Sequence, residues 1–191
     1  EGKVYATWDA PVEKAILKNV IEADGGNFER VKMIPTTVTD VAAAIQTDID
    51  AVWVYYGWDG VSLEARGIET NYFEFKDINP VLDFYTPVII SGDDYLLNNI
   101  ETTKKFLGAT AKGYSFAVQN PVEAAECITK NIPELDFELA KKSQQYLSEQ
   151  YIADSAYWGF IDEDRWAAFY DWLYDNKLLS RRLGNKGYTN E

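Results

Sequence analysis

The sequence predicts an α/β fold with parallel strands, on three observations. Short apolar runs alternate with helical patterns through the first ~80 residues, the order that gives parallel strands joined by right-handed crossovers. One of these runs, Asp50-Ala51-Val52-Trp53-Val54-Tyr55-Tyr56-Gly57-Trp58-Asp59-Gly60, passes from a strand covered on both faces directly into aromatics and a carboxylate. From residue 99 onward the pattern is almost wholly helical.

Residues 4–7 read as the first strand. Asp9-Ala10-Pro11 then opens a helix over 12–23, with an acidic cap, proline in the first turn and a Gly25-Gly26 stop. Residues 31–34 give a second strand, 39–47 a short helix opened by Thr39-Asp40, and 49–56 a third strand. A short helix over 60–65 ends near Gly67, and the alternating run at 72–75 predicts another strand. After a break at Asn79-Pro80, residues 85–91 predict an apolar strand, a candidate crossover between lobes, and Gly92-Asp93-Asp94 a turn or helix start. Further helices are predicted over 100–118, 121–131, 136–150 and 162–176, separated by Asn-Pro, Ile-Pro and Gly signals. In the last of them Trp166, Phe169, Tyr170 and Leu173 recur at helical spacing, a stripe that faces a core.

Composition narrows the function. With 191 residues, 47% hydrophobic and 15% aromatic, the chain can bury a sizeable core. A formal charge of -13 opposes nucleic-acid or anionic-membrane binding through a broad surface field. No run approaches the ~18–20 apolar residues of a membrane span, and the first residues lack the basic and apolar regions of a signal peptide, so an export signal is expected upstream of Glu1. The single cysteine, Cys127, allows no internal disulfide, and its place in a helical run predicts a buried, inert thiol. The absence of histidine removes imidazole as base, nucleophile partner or metal ligand. The acidic clusters at 22–24 and 162–164 read as helix-end charges, and neither a metal site nor a cofactor is expected.

Ligands of open α/β sheets bind beyond the carboxyl ends of the strands, which puts Tyr55, Tyr56, Trp58 and Asp59 at a candidate ligand edge. Gly57 and Gly60 permit the tight turn from which the next helix starts, while Trp53 reads as core. Thr7 and Trp8 end the first strand before a helix N-terminus, whose N–H groups favour an anionic group; Asp9 capping that helix is an equal reading. Phe84 and Tyr85 flank the crossover and read either as packing or as ligand-facing.

Val4-Tyr5-Ala6-Thr7-Trp8, Asp50-Ala51-Val52-Trp53, Trp58-Asp59-Gly60, Ala109-Thr110-Ala111-Lys112-Gly113-Tyr114, Asn120-Pro121-Val122-Glu123-Ala124-Ala125, Arg165-Trp166 through Trp172-Leu173, and Gly187-Tyr188-Thr189-Asn190-Glu191 follow a familiar order. Taken together they resemble the periplasmic solute-binding proteins of the thiamine-pyrimidine-precursor type, related to the sulfonate- and nitrate-binding proteins of ABC transporters. The resemblance implies a type II periplasmic binding protein-like fold, with two lobes of three-layer α/β/α sheets and a ligand in the interlobe cleft. It implies that residues 1–82 form the second lobe and residues 83–191 the crossover strand and helix-rich returning portion of the first. The N-terminal part of the first lobe then lies outside the chain, and self-association could complete it.

On the same resemblance the protein is extracytoplasmic and not an enzyme. It captures a small heteroaromatic solute for an ABC permease; the expected ligand-binding residues are Tyr56 and Asp59, which match the family's pattern, with Thr7, Trp8, Tyr55, Trp58 and Tyr85 from the strand-end and crossover readings above. The family's tyrosine and carboxylate after the third strand correspond to Tyr56 and Asp59, although the family more often has glutamate at the acidic position. A carboxylate accepts from an exocyclic amine while an aromatic face stacks on the ring. Three other readings stay open: an oxyanion-binding protein, for which Asp59 is the wrong group and only Arg66 lies nearby; a pyrimidine-synthase-like enzyme, whose histidine and cysteine-rich motif are missing here; and an interaction module made from a split binding protein.

Overall fold

The computed structural model describes residues 2–190. By proximity of Cα atoms it divides into two compact units, one of the residues up to Tyr85 with Ile161–Thr189, the other essentially Thr86–Phe160. It is an α/β protein with a small parallel sheet and many helices.

In the first unit, β1 (Val4–Thr7) lies between β2 (Lys32–Pro35) and β3 (Ala51–Val52), all parallel, with Tyr5 in register with Met33 and Ala51. Flanked on both edges, β1 is the best-buried strand, and Tyr5, Ala6 and Thr7 are all buried. Helix α1 (Pro11–Ala23) buries Ile16, Leu17 and Val20, one apolar face of the helical period. After β2, α2 (Val41–Ala44) starts at Asp40, whose side chain accepts from the Ala43 N–H at 3.2 Å. Val41 and Ala42 then pack with Leu63 of α3 (Val61–Ala65), beside Val52 and Val54.

Two strands expected from the sequence are not formed, and the strand expected over 49–56 pairs only at Ala51–Val52, at the sheet edge with Ala51 exposed, so it is not covered on both faces. Residues 72–74 are irregular and run into α4 (Phe75–Ile78); the alternation at 72–75 serves ring packing instead, Tyr72 against Tyr56 and Phe73 against Phe75. Residues 85–91 are also irregular, with Val88, Ile89 and Ile90 exposed. Pro87 has no N–H to give a ladder, and the described residues offer that segment no strand to pair with.

The second unit is helical: α5 (Asp93–Asn98), α6 (Ile100–Gln119), α7 (Pro121–Asn131) and α8 (Phe137–Gln150). Helices α7 and α8 meet through Ala124, Ala125, Ala140 and Ser143, small side chains that let the backbones approach. Gln144 ties α8 to α6 through the Ala117 carbonyl at 3.4 Å and accepts from the Tyr151 hydroxyl at 3.1 Å. Tyr114 stacks on Trp158 at 4.6 Å. Cys127, expected to be buried, is exposed, because the packed face of α7 is carried by Ala124 and Ala125 and the thiol falls outside it.

Helix α9 (Glu163–Asp175) returns to the first unit, capped by Asp162, which accepts from the Arg165 N–H at 2.8 Å. Its expected stripe faces the core: Phe169 and Leu173 are buried with Ile16, Val20 and Leu82, and Trp53, Phe75 and Phe84 pack around them. Among the described residues no helix is long and apolar enough to cross a membrane.

Candidate functional site at the carboxyl edge of the sheet

Two strand exits make up the site. Leaving β1, Tyr5 and Thr7 fall on one face, as residues two apart on a strand must, and both reach Glu13 in the first turn of α1. The Tyr5 hydroxyl donates to Glu13 Oε1 at 2.9 Å and the Thr7 hydroxyl to Oε2 at 2.8 Å. The Trp8 N–H donates to both oxygens at 3.2 and 3.1 Å, and the Ala10 N–H reaches Oε2 at 3.4 Å. Glu13 is only 1% exposed, and with four donor groups converging on it the burial of an acceptor-only carboxylate is compensated. Burial, then the bond and charge of Glu13, push the Tyr5 hydroxyl far above its ordinary value.

Thr7 is itself buried, and its oxygen also accepts from the Asp9 N–H at 2.9 Å, so its hydroxyl is engaged within the protein. The Asp9 cap is not formed: Asp9 has φ of 64°, Ala10 is the residue that begins the helix, and the Asp9 side chain pairs with Lys14. The acid at this helix start is Glu13, which the sequence reading missed. Its signal was a glutamate at the third helical position, where a side chain reaches back to the cap N–H. The Trp8 indole stays 45% exposed and lies 5.4 Å from Trp53, which in turn meets Phe75 edge-on at 4.6 Å.

Leaving β3, the chain winds through a π-turn over Tyr56–Gly60 into α3. The Trp58 and Asp59 N–H groups both donate to the Tyr55 carbonyl at 2.9 Å. Asp59 Oδ2 accepts from the Tyr55 N–H at 3.3 Å, a long bond, and among the described residues it is the single hydrogen bond of that side chain. Burial raises the Asp59 carboxyl above its ordinary value, opposed by that N–H. The Tyr56 ring packs on Tyr72 with centroids 4.4 Å apart, and its hydroxyl donates to Glu64; neither partner was anticipated. A Cβ on Gly60 would lie 2.3 Å from Tyr56 Cδ2, so the residue must be glycine for the ring to sit there. Tyr55 and Trp58 are exposed beside the half-buried Asp59.

Six of the seven residues singled out from the sequence thus fall at these two exits, on adjacent strands bridged by the Trp8–Trp53 contact. Tyr85 is held elsewhere, by α9. The Arg165 guanidinium lies over its ring at 4.2 Å, its hydroxyl accepts from the Asp162 N–H at 2.9 Å, and Arg165 also donates to the Asp83 carbonyl and carboxylate, each at 2.7 Å. The hollow that Tyr85 lines with Phe84, Trp166 and Phe169 holds about 20 Å³, room for about one water.

A family model described as NMT1/THI5 like matches residues 1–124, a stretch that contains both strand exits. A formylaminopyrimidine-binding protein of Halalkalibacterium halodurans is 30% identical over 168 residues, covering 85% of this chain and 51% of that protein. The chain therefore spans about half the length of the curated relative it matches. By the extent of the family match and the coverage of the chain by its relative, the protein belongs to the NMT1/THI5-like family.

Proposed function

We propose that the chain belongs to an extracytoplasmic solute-binding protein of an ABC importer and that the strand exits form one wall of its ligand cleft. The ligand is a small aminopyrimidine resembling a thiamine precursor, captured without chemistry and handed to a membrane permease. In this reading the fold is the type II periplasmic binding protein-like one, with residues 1–82 in the second lobe and 83–191 contributing to the first. Self-association belongs to the same reading.

The observation that carries the reading is Asp59: a half-buried carboxylate with one long backbone bond, set among Tyr55, Tyr56 and Trp58. Such a group gains most from a partner that brings N–H donors and an aromatic face, which an exocyclic amine on a pyrimidine does. Glu13 supports the same choice, since the negative charge at the start of α1 is already the protein's own and the donors there are committed to it. The name of the Halalkalibacterium halodurans relative, a formylaminopyrimidine-binding protein, points the same way.

Calorimetric titration with a formylaminopyrimidine tests this. Binding heat is expected from the wild type and is expected to vanish in Asp59→Ala; unchanged binding in the variant removes Asp59 from the site. Heat from taurine or nitrate instead replaces the pyrimidine with an oxyanion.

A further inference from the structure

We infer that Glu13 is a positioning residue for Trp8, fixing that indole as a preformed aromatic wall at the carboxyl edge of β1. The role of Trp8 as a ligand wall rests on the function proposed above; its positioning by Glu13 does not.

The geometry is that of a clamp. One carboxylate, 1% exposed, takes the Trp8 N–H on both oxygens, at 3.2 and 3.1 Å, and the Ala10 N–H at 3.4 Å. Through the Thr7 hydroxyl, which donates to Glu13 at 2.8 Å and accepts from the Asp9 N–H at 2.9 Å, it also fixes the residue between them. Four consecutive residues, from Thr7 to Ala10, are therefore tied to one side chain. Asp9 is held at φ of 64°, a region that residues with a side chain seldom adopt. Because these polar groups all turn inward to Glu13, the Trp8 side chain is left to the outside, 45% exposed and tilted 40° against Trp53. A large ring left open to solvent on a backbone so tightly held is preorganised, and preorganisation lowers the ordering cost of binding.

Glu13→Gln tests the clamp, since it keeps the shape but replaces one acceptor oxygen with a donor. The ligand-free readout is the exciton-coupled circular dichroism of the Trp8–Trp53 indole pair, defined as the difference between wild type and Trp8→Ala. Glu13→Gln is expected to lose that couplet; a variant that folds and keeps it overturns the inference, as does a wild type with no couplet to lose. If Glu13→Gln does not fold, Thr7→Val cuts the link to the Asp9 N–H with little change of shape. It is expected to weaken the couplet, and full retention again overturns the clamp. Where the wild type binds formylaminopyrimidine, affinity adds a second test. Each of Glu13→Gln and Trp8→Ala should weaken binding by about tenfold, and the double variant no more than Trp8→Ala alone. Additive losses mean that Glu13 does not act through Trp8. A wild type that binds no pyrimidine refutes the proposed ligand and leaves the couplet to decide on Glu13.

Discussion

Glu13 and Asp59 are two carboxylates at the exits of neighbouring strands, and the supply of donors separates them. At β1 four donor groups converge on Glu13 before any ligand arrives; at β3, among the described residues, a single backbone N–H reaches Asp59, at 3.3 Å. A carboxylate whose lone pairs are filled holds the chain, whereas one left short of donors inside an aromatic turn has capacity for a partner. Charge alone would not have told them apart, nor would position, since both lie where α/β sheets bind ligands.

The largest expected effect follows from that contrast. Glu13→Ala leaves the Tyr5 and Thr7 hydroxyls and the Trp8 N–H without their acceptor. The two hydroxyls are buried and each orphaned buried donor costs about 1–3 kcal/mol, so chemical denaturation should show a loss on the order of 3 kcal/mol or more. Asp59→Ala should cost less than about 1 kcal/mol, as substitutions away from satisfied networks do, while abolishing pyrimidine binding. Equal destabilisation by the two variants would erase the distinction between the exits.

Gly60→Ala acts on the β3 exit alone and more mildly. The new methyl would sit 2.3 Å from Tyr56 Cδ2 and 2.8 Å from Cγ, so the ring must leave its rotamer and its packing on Tyr72. Overpacking of this kind costs about 1–3 kcal/mol. Ligand heat should fall with it, while the Trp8–Trp53 couplet stays as in the wild type. Loss of the couplet in Gly60→Ala would show that the two exits are one mechanical unit.

Much of this was legible in the sequence, and the gaps have physical causes. Strand β1, helix α1 and the stripe on α9 announce themselves because burial imposes a period on their apolar residues; the strand expected over 49–56 pairs only at Ala51–Val52, because an apolar run does not tell a covered strand from a short one at a sheet edge. The cluster Tyr55 to Asp59 was singled out because an apolar strand pattern runs there directly into aromatics and an acid. The strands expected at 72–75 and 85–91 failed because apolar alternation does not reveal whether a ladder partner exists. Cys127 was misplaced since a helical run does not by itself say which face packs. Glu13 was missed for a different reason: a glutamate in a first helical turn reads as a dipole charge, and only the register of Tyr5 and Thr7 above it makes it the hub of a buried network.

The smallest expected effect concerns pH and sharpens what sets Asp59 apart. Burial raises its carboxyl in the folded protein above the value it has in the unfolded chain, against the pull of the Tyr55 N–H. The protonated form is therefore the one the fold prefers. Its contribution is fully present below the unfolded value and is lost as pH rises through the folded one, which makes the ionised carboxylate a slight liability at neutral pH. Asp59→Asn should accordingly stabilise the ligand-free protein a little at neutral pH, with the gain disappearing in acid, as denaturation curves at several pH values would reveal. An amine-bearing ligand reverses the preference, because only the ionised form can accept fully from it. Titrations near the raised value, in buffers of different ionisation heat, should show protons released on binding. A stability gain that persists in acid, or binding without proton release, would mean that Asp59 is not the under-supplied carboxylate its geometry describes.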